Sequence, residues 1–203
     1  SGAAEAITRR AGNGVYMSRN DILAAPLAAI LAAILVEREA RWNMRRELAA
    51  EHGQPVLSLT LNIPGADKNP AGSAQAFDSL RQALGRAIAR HCGHAACFAA
   101  ETERAGVDGP CWIAAVNLDP AQLKALCVAV EEDHPLGRLA DADVLNALGQ
   151  PVNRADVGLP ARHCFLCEAP ASLCRRQGKH TPEEIMAHVR NLLALAISAD
   201  AQS

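Results

Sequence analysis

The chain has 203 residues, half of them hydrophobic, and a formal charge of -2 at neutral pH. So small a charge excludes a general electrostatic pull towards nucleic acid or anionic lipid, and an aromatic content of 3% leaves no stacking platforms for single-stranded nucleic acid. The length suits one hydrophobic core, or one domain with a small appendage.

Residues 1–20 mix Gly, Ser, Asn and Arg without periodicity and read as a flexible leader. A helix is predicted from Asp21, a plausible cap, to His52-Gly53. Its charge-free stretch, residues 22–36, is shorter than the roughly 20 residues that span a bilayer. Pro26 interrupts it, no cleavage site follows, and it runs into Glu37-Arg38-Glu39-Ala40-Arg41-Trp42. It reads as a partly buried helix of a cytoplasmic protein with no membrane partner. Seven cysteines, an odd number with three crowded near the C-terminus, make a poor disulfide framework and agree with that compartment.

Residues 55–63 alternate as a strand does, and Pro64-Gly65 ends it. Residues 71–91 space Phe77, Leu80, Leu84 and Ile88 by three and four, the pattern of an amphipathic helix. Two short apolar runs follow, residues 95–100 and 111–118, with a turn containing Gly and Asp between them. Pro120 opens a helix through Leu123, Leu126, Cys127 and Val130; residues 139–145 read as a strand, and Gly149 lies in a turn. The order strand, helix, strand, strand, helix, strand predicts an α+β fold: an antiparallel sheet in ferredoxin-like βαββαβ order. From about Arg162 a Cys-rich knuckle leads into a last helix, with Thr181 as cap and Pro182 at its first position. The expected organisation is a catalytic domain over residues 21–160, with the knuckle and helix of 161–203 packed on it.

Four groups of residues suggest chemistry. Asp141 and Asp143 stand two apart in a predicted strand, so they share a face, with Cα atoms about 6.6 Å apart. Two such carboxylates could reach one Mg²⁺; a solvated edge strand or a turn would also place them so. His134, Gly137 and Arg138 come just before the pair, offering a backbone approach at Gly137 and a cation at Arg138 for a polyphosphate. His134 also reads as a helix C-terminal cap. Arg38, Arg41 and Arg45 share one helix face, either for phosphate or simply solvated, and Glu37 with Arg41 is a favourable pair. Lys68 follows the Pro64-Gly65 turn, as a phosphate contact or an ordinary loop lysine. Cys164, Cys167, Cys174 and His180 have the spacing of a structural zinc knuckle, with reduced thiols as the other reading. Only Lys68, Lys124 and Lys179 are lysines among the 20 basic residues. Arginine's planar fork suits phosphate, although genomic base composition gives the same bias. Walker A, G-x-G-x-x-G, G-x-S-x-G and H-E-x-x-H signatures are all missing.

These residues, in this order, resemble the apo-citrate lyase phosphoribosyl-dephospho-CoA transferases (holo-citrate lyase synthases). The resemblance runs from about Ile34 to Leu193. Its most specific stretch is His134-Pro-Leu-Gly-Arg-Leu-x-Asp141-x-Asp143-Val-Leu145. The early basic helix, the strand from Leu57 to Pro64-Gly65 with Lys68, Arg154, Arg162-x-Cys164-x-x-Cys167, Cys174-x-Arg176 and His180 accompany it. Leu35 stands where the family usually has arginine, and Asn153 where it has serine. The resemblance implies triphosphoribosyl-dephospho-CoA as substrate and a serine of the citrate lyase acyl-carrier subunit as acceptor, with pyrophosphate released. It also implies Mg²⁺ on Asp141 and Asp143, pyrophosphate on Arg138 and Lys68, and the other phosphates on Arg38 and Arg41. Two further readings are a zinc-stabilised binding module without catalysis, and a sister transferase for another carrier such as that of malonate decarboxylase.

Overall fold

A computed structural model describes residues 26–93 and 97–201. The expected leader and the Asp21 cap lie outside them. Helix α1 (Leu27–His52) comes first, closed by Gly53 in a left-handed conformation at φ 61°. Strand β1 (Val56–Leu61), helix α2 (Ser73–Cys92), strands β2 (Phe98–Gly106) and β3 (Gly109–Val116), helix α3 (Pro120–Asp133) and strand β4 (Ala140–Leu145) follow. A two-residue strand β5 (Pro151–Val152), helix α4 (Ala171–Gln177) and helix α5 (Pro182–Asp200) complete it. The caps follow local chemistry. Asp119 accepts from the N–H groups of Ala121 and Gln122, with Pro120 behind it. Thr181 and Glu184 form a capping box around Pro182.

The five strands are antiparallel in the order β2-β3-β1-β4-β5. Register places Leu59 between Trp112 and Ala142, and that face packs against Phe77, Leu80 and Leu84 of α2 and Leu123 and Cys127 of α3. Val189, Leu192, Leu193 and Ala196 bring α5 into the same core. The opposite face carries Val56, Cys111, Ile113 and Ala115, covered by Ala49 of α1. Because β4 alternates, Ala140, Ala142 and Val144 join the main core while Asp141 and Asp143 point to the α1 side.

Cysteines differ from expectation at one pair: Cys92 and Cys97 form a disulfide, Cα atoms 6.2 Å apart, across the short loop from α2 to β2. Counting cysteines misses it because an odd total does not say which two thiols the fold brings together. No helix among the described residues is long and apolar enough to cross a membrane. Only Ile30 and Ile34 are buried in the charge-free part of α1.

The outer edge of β4 meets β5 only at Val144 and Leu145. Side chains complete the rest of it. The Ala142 N–H donates to Glu131 Oε1 at 3.1 Å, and the Ala142 carbonyl accepts from Lys124 Nζ at 2.8 Å. The Ala140 carbonyl accepts from Arg162 Nη2 at 2.6 Å. Lys124 and Glu131 are 7% and 4% exposed, and Arg154 pairs with Glu131 at 2.5 Å. Buried charges this tightly partnered are costly to break singly. Glu131→Ala orphans the Ala142 N–H and the Arg154 guanidinium, and should cost about 3 kcal/mol. Calorimetry should then show the melting temperature falling by about 6–12 °C for a chain of this size. Glu132→Ala, at a half-exposed carboxylate, should move it far less.

Candidate functional site

The face of α1 that meets the sheet begins apolar at Ile30 and Ile34, turns basic at Arg38, Arg41 and Arg45, and ends at Ala49. Arg45 is buried between helix and sheet and Arg41 is largely covered, while Arg38 stays half-exposed. Arg45 reaches Asp143 at 3.2 Å with its side chain 8% exposed. Its guanidinium carbon lies 5.6 Å from the centre of the Trp42 ring. Arg38 and Arg41 converge on Asp108, at 3.0 and 2.8 Å. The Glu37 carboxylate accepts from the N–H groups of Val107 and Asp108, so the β2–β3 turn and α1 lock together. Leu35 points to solvent.

Asp141 and Asp143 share one face of β4, opposite Thr60 and Ser58 of β1. Their side chains are 53% and 59% exposed. With about half of its side chain withdrawn from solvent, partial desolvation, followed by the like charge of Asp143, raises the Asp141 pKa. The two carboxylates and Arg45 form a ridge between two clefts of about 410 Å³ each. On one side Arg38, Arg41, Trp42, Thr60, Asn62 and Lys68 line the wall. On the other stand Lys124, Glu131, Asn153, Arg154 and Arg162. Lys68 donates to the Ile63 carbonyl at 2.5 Å; burial, then the positive field of Arg38, lowers its pKa. Clefts of this size hold a nucleotide-sized ligand. Two hard carboxylates surrounded by arginine forks suit a divalent cation and phosphate oxygens.

Arg138, Gly137 and His134 are not brought to this ridge. Arg138 lies outside both clefts: its guanidinium donates to the His163 carbonyl, and its carbon lies 5.5 Å from the Phe165 ring centre. Gly137 is buried, and a Cβ there would stand 2.5 Å from the carbonyl oxygens of Val130 and Glu131. Its lack of a side chain permits close packing on α3. His134 caps α3; its Nδ1 accepts from the Leu136 N–H at 3.1 Å and its Nε2 lies 3.4 Å from Ser79 Oγ, towards α2. Burial, with Arg86 adding to it, lowers the His134 pKa.

Sequence reasoning missed Asp108, Trp42, Ser58 and Thr60, and gave Arg162 no role of its own. The Gly- and Asp-containing turn between the two apolar runs was the available signal for Asp108; the structure carries β2 through Glu101 and Glu103 to Gly106, which leaves Val107 and Asp108 as the turn. Arg162 Nη1 comes within 3.5 Å of Asp141 while its Nη2 holds two carbonyls of the β4 approach.

The sulfur atoms of Cys164, Cys167 and Cys174 and a ring nitrogen of His180 all lie within 4.8 Å of one another. Cys164 and Cys174 are buried, the other two half-buried. Gly178, at φ 57°, folds the chain back so that His180 can meet them. Such a set can hold a metal ion.

Comparison with known proteins adds an independent finding. Residues 29–195 match the family described as apo-citrate lyase phosphoribosyl-dephospho-CoA transferase. A probable apo-citrate lyase phosphoribosyl-dephospho-CoA transferase of Vibrio cholerae is 30% identical over 82% of this chain and 92% of its own length. One of Streptococcus pyogenes is 33% identical, with coverage of 85% and 90%. An apo-citrate lyase phosphoribosyl-dephospho-CoA transferase of Escherichia coli is 32% identical, with coverage of 84% and 92%.

The packing at Gly137 makes a prediction that separates it from a ligand contact. Gly137→Ala should destabilise by about 2 kcal/mol through overpacking, seen as a lowered melting temperature. An unchanged melting temperature with lost phosphate binding would return Gly137 to the ligand.

Proposed function

This chain belongs to the apo-citrate lyase phosphoribosyl-dephospho-CoA transferase family, and from that premise we propose that it modifies the acyl-carrier subunit of citrate lyase. The substrate is triphosphoribosyl-dephospho-CoA and the reaction is of the nucleotidyltransferase type. The carrier's serine oxygen bonds to the phosphorus next to ribose. The bond from that phosphorus to pyrophosphate breaks, the serine proton passes to solvent, and a phosphodiester remains. The observation that carries this reading is the paired carboxylate ridge of Asp141 and Asp143, open to two basic clefts.

The donor set fits Mg²⁺, since both carboxylates share a face, are half-exposed and mutually repel. Asp141 and Asp143 are the residues that would hold it, and the chemistry it supplies there is neutralisation of phosphate charge. Phosphoryl transfer otherwise asks the protein for positioning and electrostatics. Arg45 sets Asp143, Arg162 sets Asp141, and Lys68, Arg38 and Arg41 bind phosphate oxygens in the cleft beneath α1. Asp108 holds those two arginines in place beforehand, so their side chains need little ordering when substrate arrives. The half-exposed Trp42 bounds the same cleft and excludes water from one wall. The acceptor hydroxyl comes from the partner, so the chain needs no nucleophile of its own.

The sheet reading as ferredoxin-like is supported by the spatial order β2-β3-β1-β4, with β5 as an addition. For the knuckle, zinc is the metal that three thiolates and one imidazole favour, and four protein ligands make it structural. The knuckle thiols are reduced, a state that the cytoplasm maintains, and we place the reaction there, with the Cys92–Cys97 bond as the exception to that compartment's usual chemistry.

Two outcomes test this function. Asp141→Asn and Asp143→Asn should each fold normally and lower carrier modification on the order of 10²-fold, read as mass gain of the carrier with Mg²⁺. Arg190→Ala, at an exposed position on α5, should leave the rate unchanged. Normal rates in both asparagine variants would make the pair structural. Zinc in isolated knuckles contributes roughly 10–16 kcal/mol, comparable with the roughly 5–15 kcal/mol stability of a whole domain. Stripping it should therefore lower the melting temperature and loosen residues 161–203 in hydrogen exchange. A metal-free preparation with an unaltered melting curve would refute the zinc assignment.

A further inference from the structure

Arg138 and Arg162 exchange hydrogen bonds in opposite directions. Arg138, just before β4, reaches out to the carbonyl of His163 and lies over Phe165. Arg162 reaches back to the carbonyl of Arg138 at 2.8 Å and to that of Ala140 at 2.6 Å. The residue gripped by Arg138, His163, lies between Arg162 and Cys164. The knuckle is closed on itself at the same point: the Ala171 N–H donates to the Arg162 carbonyl, and the Cys164 N–H to the Ala169 carbonyl, both at 2.8 Å. His163 and Pro170 form a β-bridge there.

We infer that Arg138 is a positioning residue: through this reciprocal clasp it fixes the knuckle against β4 and so holds the Arg162 guanidinium beside Asp141 in the cleft. A guanidinium already held by two carbonyls through Nη2 keeps Nη1 3.5 Å from the Asp141 carboxylate with little rotamer freedom. An arginine held in this way meets a phosphate oxygen at little entropic cost. Without the grip on His163, the Cys/His loop can shift as a unit and take Arg162 with it. The inference rests on the transferase reading, in which pyrophosphate leaves beside the carboxylate ridge whose Asp141 is set by Arg162.

The test uses the full chain as purified, with calorimetric binding of inorganic pyrophosphate in the presence of Mg²⁺ and amide hydrogen exchange by mass spectrometry. Arg138→Ala and Arg162→Gln should each weaken pyrophosphate binding about tenfold, the scale of one charged hydrogen bond. The double variant should bind no more weakly than Arg162→Gln alone, because one residue acts through the other. Exchange over residues 162–171 should quicken in Arg138→Ala. Wild-type binding by Arg138→Ala, or losses that multiply in the double variant, would overturn the inference. If the unaltered chain binds no magnesium pyrophosphate, the transferase reading falls, and exchange alone decides the clasp: faster exchange at 162–171 upholds it, unchanged exchange overturns it. Should Arg138→Ala fail to fold, Arg138→Lys, which keeps the charge and loses the fork, takes its place with the same expected direction.

Discussion

The outer edge of β4 governs much of this molecule. A strand edge leaves backbone donors and acceptors that must be matched, and here a neighbouring strand matches them only at Val144 and Leu145. Lys124, Glu131 and Arg162 bond the remainder. Side chains in place of a full-length strand leave that flank open. The opening becomes a cleft, and the carboxylates of the same strand look towards it. A sixth strand on this edge would have satisfied the backbone equally well and closed the cleft.

The other wall follows from α1. Its inward stripe changes from aliphatic to arginine, and the sheet face on that side carries the rows Ile113–Ser58–Asp143 and Cys111–Thr60–Asp141, apolar at β3 and acidic at β4. The buried Arg45 demands a partner and finds Asp143, while Asp108 pairs with the partly exposed Arg41 and the half-exposed Arg38 from a different element. Asp108 is spent on holding arginines, whereas Asp143 has, among the described residues, one guanidinium contact and more than half its side chain exposed. That difference separates a structural carboxylate from one available to a ligand.

Local signals were legible in the sequence. The α2 stripe of Phe77, Leu80, Leu84 and Ile88, the Thr181-Pro182 start of α5 and the shared face of Asp141 and Asp143 all depend on periodicity or caps within a few residues. The convergence of Cys164, Cys167, Cys174 and His180 was equally legible, because the loop that closes it is short. What escaped depends on tertiary placement. Arg138 and Arg162 are both arginines near the motif, and spacing alone cannot say which one turns towards the cleft. Gly137 reads as a ligand approach or as a packing requirement until the carbonyls of α3 are in view. Lys124 and Glu131 look like ordinary surface charges of a helix, yet they are buried because β4 needs them.

The account stands on transfer of a prosthetic group with pyrophosphate as the leaving group. The most direct measurement is the stoichiometry of pyrophosphate released against mass gained by the carrier subunit, with this chain, Mg²⁺ and triphosphoribosyl-dephospho-CoA. The account predicts one pyrophosphate for each phosphoribosyl-dephospho-CoA attached to a serine. Carrier that gains no mass, or gains it without pyrophosphate release, would contradict it.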